Sequence, residues 1–270
     1  MLQRLVGFAI PVAAFLAGCG SLRPDPRPAP LPSEPAPPAA APSPWRVLGH
    51  SVLGRPIRVR AVGTGPRRVL WIGGIHGDEP EGAVATDELP AAFEAAGLGS
   101  RVTLTIVEDV NPDGRIAGTR GNANGVDLNR NYPASNWTGG ASRGSEPLSE
   151  PEARALHDLI VELGPDVVLV AHSYRTRRSA PPAFVNFDGP AEDIARVFAT
   201  ESGYPVVPSE ALHGTPGSLG SLVGIDMGIP ILTLEYARGS DPRRCWEETR
   251  AAILAVIRGD AVPGAPRDGE

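Results

Sequence analysis

From Trp45 onward the apolar positions fall into short runs separated by Gly, Pro and polar turns, and their period switches repeatedly between two and about 3.6. Arg46 to Val62 carries two short β-like runs around Leu53-Gly54-Arg55-Pro56, the pattern of a hairpin. Val69 to Ile72 reads as a short apolar strand, followed by a Gly-rich turn and a helix through about Ala95. Val102 to Val107 is β-branched and predicts a strand, whereas Asn111 to Gly144 is rich in Asn, Gly, Asp and Ser and reads mostly as loop. Ser149 with Glu152 forms a capping box for a helix to about Leu163, and Asp166 to Ala171 is a buried strand. A helix from about Pro190 to Ser202, a Gly-punctuated segment at Gly214 to Gly228, the strand Ile229 to Leu234 and a helix capped by Asp241, started by Pro242 and ending near Arg258 complete the pattern. Apolar strands alternating with helices predict an α/β fold, three layers deep (α/β/α), with a mixed, mostly parallel sheet.

In open α/β sheets, ligands bind beyond the carboxyl ends of the strands, and the chemistry-bearing residues of this chain collect there. His76 and Glu79 leave the strand ending at Ile72 three residues apart, in Gly73-Gly74-Ile75-His76-Gly77-Asp78-Glu79, where glycines permit a tight path. His172 comes directly after the strand Asp166 to Ala171, and Glu235 closes the strand Ile229 to Leu234. Two imidazoles and one carboxylate, His76, Glu79 and His172, are the ligand set of a catalytic Zn²⁺ site that leaves a position open for water. The remaining carboxylate, Glu235, then fits a general base. A lone His-x-x-Glu is common on surfaces; the combination at three strand ends is not. His50 in the hairpin and His157 on the helix before Leu163 lie away from this rim and read as structural or exposed. Cys245 reads as a small buried hydrophobe, and Trp71 and Trp246 as core.

Composition narrows the partners. The formal charge is −6 with 25 basic residues, so no basic excess is present to hold a polyanion, and nucleic acid is excluded as a partner. Two cysteines, Cys19 and Cys245, make no disulfide framework. The Gly-x-Ser-x-Gly match at Gly140-Ala141-Ser142-Arg143-Gly144 falls in the stretch read as loop and not between a strand and a helix, so no nucleophile elbow supports an α/β-hydrolase reading. Residues 1–19 have Arg4 before an apolar run too short to span a bilayer, which predicts a secretory signal. The run ends in Leu16-Ala17-Gly18-Cys19, which resembles a bacterial lipoprotein lipobox and implies export with lipid anchoring to a bacterial membrane through Cys19. Residues 20–44 are a Pro/Ala-rich linker: ten of the 24 residues from Ser21 to Pro44 are Pro, enough to keep the chain extended over about 75 Å as a tether or a passive spacer. Residues 45–258 then form the catalytic domain, and residues 259–270 a frayed tail.

A second motif makes the reading specific. Asn111-Pro112-Asp113-Gly114 is followed by Gly118-Thr119-Arg120-Gly121-Asn122-Ala123-Asn124-Gly125-Val126-Asp127-Leu128-Asn129-Arg130-Asn131-Tyr132-Pro133. With the His76 turn and Leu232-Thr233-Leu234-Glu235, this pattern resembles the M14 zinc carboxypeptidase family, and within it is similar to the short bacterial murein peptide amidase branch. The resemblance implies one zinc ion on His76, Glu79 and His172, with Glu235 as the catalytic carboxylate. It further implies that Arg120 polarises the scissile carbonyl, that Asn129 and Arg130 clamp a terminal carboxylate, and that Asp127 orients His76 from behind. Tyr174 also fits the family's pattern. The family's mobile Tyr is replaced here by His213, which is expected to donate to bound substrate or to be a surface loop residue.

The implied substrate is a murein stem peptide, cleaved at the γ-D-glutamyl-diaminopimelate amide. Leu219, with no acid between Gly217 and Ser221, disfavours a preference for C-terminal Lys or Arg. Arg175, Arg177 and Arg178 either pair with the extra carboxylates of such a peptide or form a solvated charge run. Two other readings stand beside this one: a zinc N-acyl amino acid deacylase resembling the succinylglutamate desuccinylase and aspartoacylase group, and a non-catalytic peptidoglycan-binding lipoprotein. The intact Asn-Pro-Asp-Gly and Asp-Leu-Asn-Arg-Asn motifs weigh against the first, and the complete ligand set with its base against the second.

Overall fold

The computed structural model describes residues 44–174, 183–209 and 215–260. The signal and lipobox at 1–19, nearly all of the linker, Arg175, Arg177, Arg178, His213 and all but the first two residues of the tail lie outside the described residues.

Eight strands form one sheet: β1 (Arg46–His50), β2 (Pro56–Val62), β3 (Arg67–Ile72), β4 (Val102–Val107), β5 (Val167–Tyr174), β6 (Phe184–Asp188), β7 (Val206–Pro208) and β8 (Ile231–Ala237), in the order β1-β2-β4-β3-β5-β8-β6-β7. The central run β4-β3-β5-β8 is parallel; the β1/β2, β2/β4 and β8/β6 pairings are antiparallel, and the β6/β7 pairing at the edge is parallel. The helices are α1 (Ala83–Ala95), α2 (Pro112–Ala117), α3 (Pro151–Leu163), α4 (Glu192–Ser202) and α5 (Pro242–Arg258).

Alternation along each strand divides the core in two. On one face Val69, Trp71, Leu169 and Leu234 pack against α1, α4 and α5, including Leu89, Phe93, Phe198 and Ile253. On the other face Leu70, Ile72, Val168 and Val170 pack against Leu156 and Ile160 of α3 and against Leu128, Tyr132, Leu219 and Val223 from loops. The three-layer, mixed-sheet expectation is met. Trp71 and Trp246 are core residues, Cys245 is buried, His50 is exposed, and His157 sits on α3 with Nδ1 3.1 Å from Asp158 Oδ1.

Several local expectations are corrected. Ser149 and Glu152 do not form a capping box: the helix begins at Pro151 with Glu150 as its N-cap, and the Ser149 hydroxyl donates to Glu150 Oε1 (2.8 Å). Glu152 is instead fully buried, accepting from Val52 N (3.0 Å) and from Asn122 Nδ2 (3.1 Å), because its carboxylate is needed to close the β1–β2 turn onto the domain. The stretch from Asn111 to Gly144 contains α2, capped by the Asn111 side chain accepting from Gly114 N (2.9 Å), and a 3₁₀ turn at Leu128–Arg130. β6 and β7 were not legible, being five and three residues long. β5 and β8 run past His172 and Glu235, so both residues lie inside strands, not after them. Asp241 does cap α5, accepting from Arg243 N (2.7 Å) and Arg244 N (3.3 Å).

The hairpin is held to the domain by Asp113 of α2, whose Oδ2 accepts from Leu53 N (2.9 Å) and Oδ1 from Arg55 (2.5 Å). Burial alone would raise this carboxyl, but the Leu53 N–H and the Arg55 guanidinium outweigh it and hold it below the usual carboxylate range. Asp113→Ala is expected to cost about 1–3 kcal/mol in urea unfolding at neutral pH, because Leu53 N–H and Arg55 lose a charged acceptor. A depressed carboxyl stabilises above its unfolded pKa of about 3.9 and loses that contribution as pH falls through the folded value, so the deficit should shrink below about pH 4.

Candidate active site

The turn after β3 is pinned on both flanks. Gly73 N donates to Val107 O (3.1 Å), Val110 N to Gly73 O (3.1 Å) and Asn111 N to Gly74 O (2.9 Å), while Asn111 Nδ2 reaches Ile75 O (3.3 Å). Gly77 crosses α2 so closely that a β-carbon there would lie 1.9 Å from Gly114 C, which no larger residue tolerates. Glu79 N donates to His76 O (3.2 Å), and this tight path brings His76 Nδ1 to 3.1 Å from Glu79 Oε1.

His172 arrives from the neighbouring strand. Its Nδ1 lies 2.9 Å from Glu79 Oε2, which also accepts from Ser173 N (3.0 Å). The two imidazole rings are 4.6 Å apart at 41°. One ligand atom from each of His76, Glu79 and His172 falls within 4.8 Å of the others, and all three residues are buried. The donor set fits a divalent metal, and His76 Nδ1 is a buried nitrogen left without a hydrogen-bond partner, as a ligand position requires. The far nitrogen of each ring is occupied elsewhere: His76 Nε2 lies 2.9 Å from Asp127 Oδ1, and His172 Nε2 lies 3.4 Å from Asn129 Nδ2.

Asp127 is a junction. Its Oδ1 also accepts from Asn129 N (3.0 Å) and its Oδ2 from Arg120 Nε (2.9 Å), while Arg120 Nη1 reaches Glu79 Oε1 (3.0 Å). The Arg120 side chain remains 44% exposed. Asn129 Oδ1 accepts from Leu219 N (2.9 Å), and Arg130 follows it on the 3₁₀ turn, making no ion pair with a carboxylate among the described residues.

Glu235 stands directly beside His172 in the β5/β8 register, and both follow the strand parity of Val168, Val170 and Ile231, so they share a face of the sheet. Among the described residues the Glu235 carboxyl makes no hydrogen bond or ion pair. Burial, reinforced by the Glu79 charge, pushes its carboxyl up to about 8. Glu79 behaves oppositely: burial would raise it, but His172 and His76 overwhelm that penalty and hold it far below the carboxylate range. For Asp127, too, burial is overcome, chiefly by His76 and then by Arg120. For His76 burial is outweighed by Asp127 and Glu79, which raise it, whereas burial prevails at His172 and lowers it.

The predicted residues His76, Glu79, His172, Asp127, Arg120 and Asn129 are thus joined by direct contacts, with Glu235 beside them and Arg130 next in chain. Sequence reasoning missed Arg238. It donates to Asp78 O and, from Nη2, to Asp78 Oδ2 (3.0 Å), with Glu79 Oε1 3.7 Å away. Its position three residues beyond Glu235, at the carboxyl end of a central strand, was the available signal. The Asn111 amide also reaches Arg120 O (3.4 Å), linking the metal turn to the Arg120 loop.

Residues 45–200 match the zinc carboxypeptidase family, peptidase M14. Murein peptide amidase A of Escherichia coli (strain K12) is 34% identical over 205 residues, covering 70% of this chain and 79% of that protein. Gamma-D-glutamyl-L-diamino acid endopeptidase 1 of Lysinibacillus sphaericus is 25% identical over 246 residues, covering 72% of this chain and 61% of the relative. The crystal structure of a murein-tripeptide amidase from Escherichia coli O157 superposes with a TM-score of 0.65 at 29% identity, over 85% of this chain and 95% of that one. By sequence, by fold and by the His-Glu-His cluster at its sheet rim, the chain belongs to the M14 zinc carboxypeptidase family, hydrolases that act on peptide bonds.

Proposed function

We propose that this protein is a zinc-dependent murein peptide amidase that hydrolyses the amide before a carboxylate-bearing C-terminal residue, in stem peptides the γ-D-glutamyl-diaminopimelate bond. The observation that carries the reading is the buried His76, Glu79 and His172 cluster with Arg120 and Asp127 wrapped around it. The substrate class is supported by two relatives, which are named for murein peptides and for a γ-D-glutamyl-diamino acid bond. The lipobox-like Cys19 and the Pro-rich linker support an exported, membrane-anchored enzyme facing the wall.

His76, Glu79 and His172 would hold the zinc ion, which when bound would supply Lewis acidity toward the carbonyl and toward water. The rest falls to side chains of this chain. Glu235 takes the proton of the attacking water and returns it to the leaving amine; having no competing hydrogen bond among the described residues, its oxygens are free for that transfer. Arg120, with Nε pinned to Asp127, directs its remaining donors at the oxygen where negative charge develops. Arg130 pairs with the terminal carboxylate in the planar geometry that a guanidinium favours. Asn129, assigned to the same clamp by resemblance, spends its side-chain oxygen on Leu219 N, so only its amide nitrogen can assist Arg130. Asp127 accepts from His76 Nε2, which leaves Nδ1 as the lone-pair nitrogen.

Three outcomes test the reading. Zinc-loaded protein incubated with L-Ala-γ-D-Glu-diaminopimelate should release diaminopimelate, detected by mass, and chelated protein should not; release from N-acyl amino acids alone would overturn the proposal. Glu235→Gln should lower kcat by about 10²–10⁴-fold while binding zinc with unchanged stoichiometry, measured by turnover and metal analysis. Asp127→Asn should weaken zinc about 10–100-fold in competition with a chromogenic chelator.

A further inference from the structure

The carboxylate clamp sits on a poor foundation. Arg130 closes a 3₁₀ turn of only three residues, Leu128–Arg130, and its Nη1 donates to the neighbouring Asn129 O (2.6 Å). A turn so short does not by itself fix the direction of a long side chain. Asp127 caps the start of the turn, and its end is held from seven residues downstream.

Trp137 Nε1 donates to Arg130 O at 3.0 Å. The indole is half-buried and is wedged against a second segment, Thr215–Ser221. At Gly217, whose φ is +73°, a β-carbon would lie 2.5 Å from Trp137 Cδ1 and 2.6 Å from Arg130 O, so only glycine lets these three residues meet. The contact is riveted on every side: Tyr132 N donates to Gly217 O (3.0 Å), Gly217 N to Asn136 Oδ1 (3.1 Å), Asn136 Nδ2 to Ser221 Oγ (2.9 Å) and Leu219 N to Asn129 Oδ1 (2.9 Å). Trp137 N donates to Ala134 O (2.8 Å), and Ser135 donates through N and Oγ to the Asp226 carboxylate, both at 2.6 Å.

This wiring is too specific to serve burial alone. A Phe would supply much of the same apolar ring surface; the indole adds one N–H donor, and that donor is placed on the carbonyl of the residue whose guanidinium faces no carboxylate of its own among the described residues. We infer that Trp137 is a positioning residue for the clamp: its N–H on Arg130 O, with Gly217 as the only residue that fits beneath, aims the Arg130 guanidinium at the substrate's terminal carboxylate. The inference rests on the clamp role proposed for Arg130. It makes Pro133–Trp137 and Thr215–Ser221 one unit, the second wall of the substrate site.

The test compares a peptide substrate carrying a free terminal carboxylate with its C-terminal carboxamide, using zinc-loaded full-length protein. Trp137→Phe should raise KM for the free acid about tenfold, leave kcat within about twofold, and reduce the acid-over-amide ratio of kcat/KM by the same factor as KM rises. Zinc affinity should be unchanged, since the indole touches no metal residue. Gly217→Ala reaches the same junction by forcing Trp137 and Arg130 O apart and should produce the same loss of discrimination; either variant suffices if the other does not fold. Arg130→Ala separates the two levels of the argument. If Arg130→Ala abolishes discrimination and both junction variants preserve it, the positioning role is overturned and the clamp stands. If Arg130→Ala also preserves it, the clamp reading and the inference fall together.

Discussion

The site is organised around one buried carboxylate. Glu79 is 7% exposed and must stay ionised, a state that costs several kcal/mol in a low-dielectric interior unless each oxygen is met by donors. Oε2 accepts from Ser173 N and lies 2.9 Å from His172 Nδ1; Oε1 accepts from Arg120, with His76 and Arg238 close by. These groups come from the β3 turn, from β5, from the Arg120 loop and from the end of β8, so keeping Glu79 charged requires all four segments to converge. A second carboxylate repeats the demand one layer out, since Asp127 is held by His76, Asn129 N and Arg120. Arg120 spans both and ties their orientations together.

Glu235 shows what the same surroundings do to a carboxyl that is denied such partners. It lies one strand from His172, yet no donor meets it among the described residues, and burial with the Glu79 charge pushes it up to about 8. Two glutamates, one in the cluster and one beside His172 on the next strand, are thereby driven in opposite directions, one locked as an anion suited to a cation and the other left able to gain and lose a proton near neutrality. The chemistry proposed for the protein needs that division.

Much of this was legible because strand ends and glycines are strong local signals. The β3 turn announces itself by Gly73-Gly74 and Gly77, and the apolar runs at 69–72, 166–171 and 229–234 place His76, His172 and Glu235 at one rim without knowledge of the contacts. What escaped depends on distant partners. Glu152 looks like a capping residue from its spacing to Ser149, but its carboxylate is taken by Val52, 100 residues away, together with Asn122. Asn122, which local chemistry reads as a turn former, does accept from Asn124 N and Val126 N, yet its amide also bridges Glu150 and Glu152 in the interior. Arg238 and Trp137 carry no pattern of their own; each gains meaning only from the residue it meets. Edge strands as short as β7 are stabilised by their neighbours more than by their own composition, so periodicity does not find them.

The placement of the metal cluster follows from topology as much as from sequence. From β3 the chain passes through α1 to β4 on one side; from β4 it later crosses through α3 to β5 on the other side of β3. α1, which follows β3, packs on one face of the sheet and α3, which precedes β5, on the opposite face, so the direction of winding reverses at β3, and α/β sheets bind ligands beyond the carboxyl ends of strands at such a point. His76 and Glu79 stand there on the turn after β3 and His172 in β5, while Glu235 lies beside His172 in β8, the parallel neighbour of β5. A strand order that continued past β3 without reversing would have packed both helices on one face. The reversal therefore does what no single residue does: it sets His76 and Glu79 from the β3 turn beside His172 of β5, with Glu235 of β8 next to them, at one rim of the sheet.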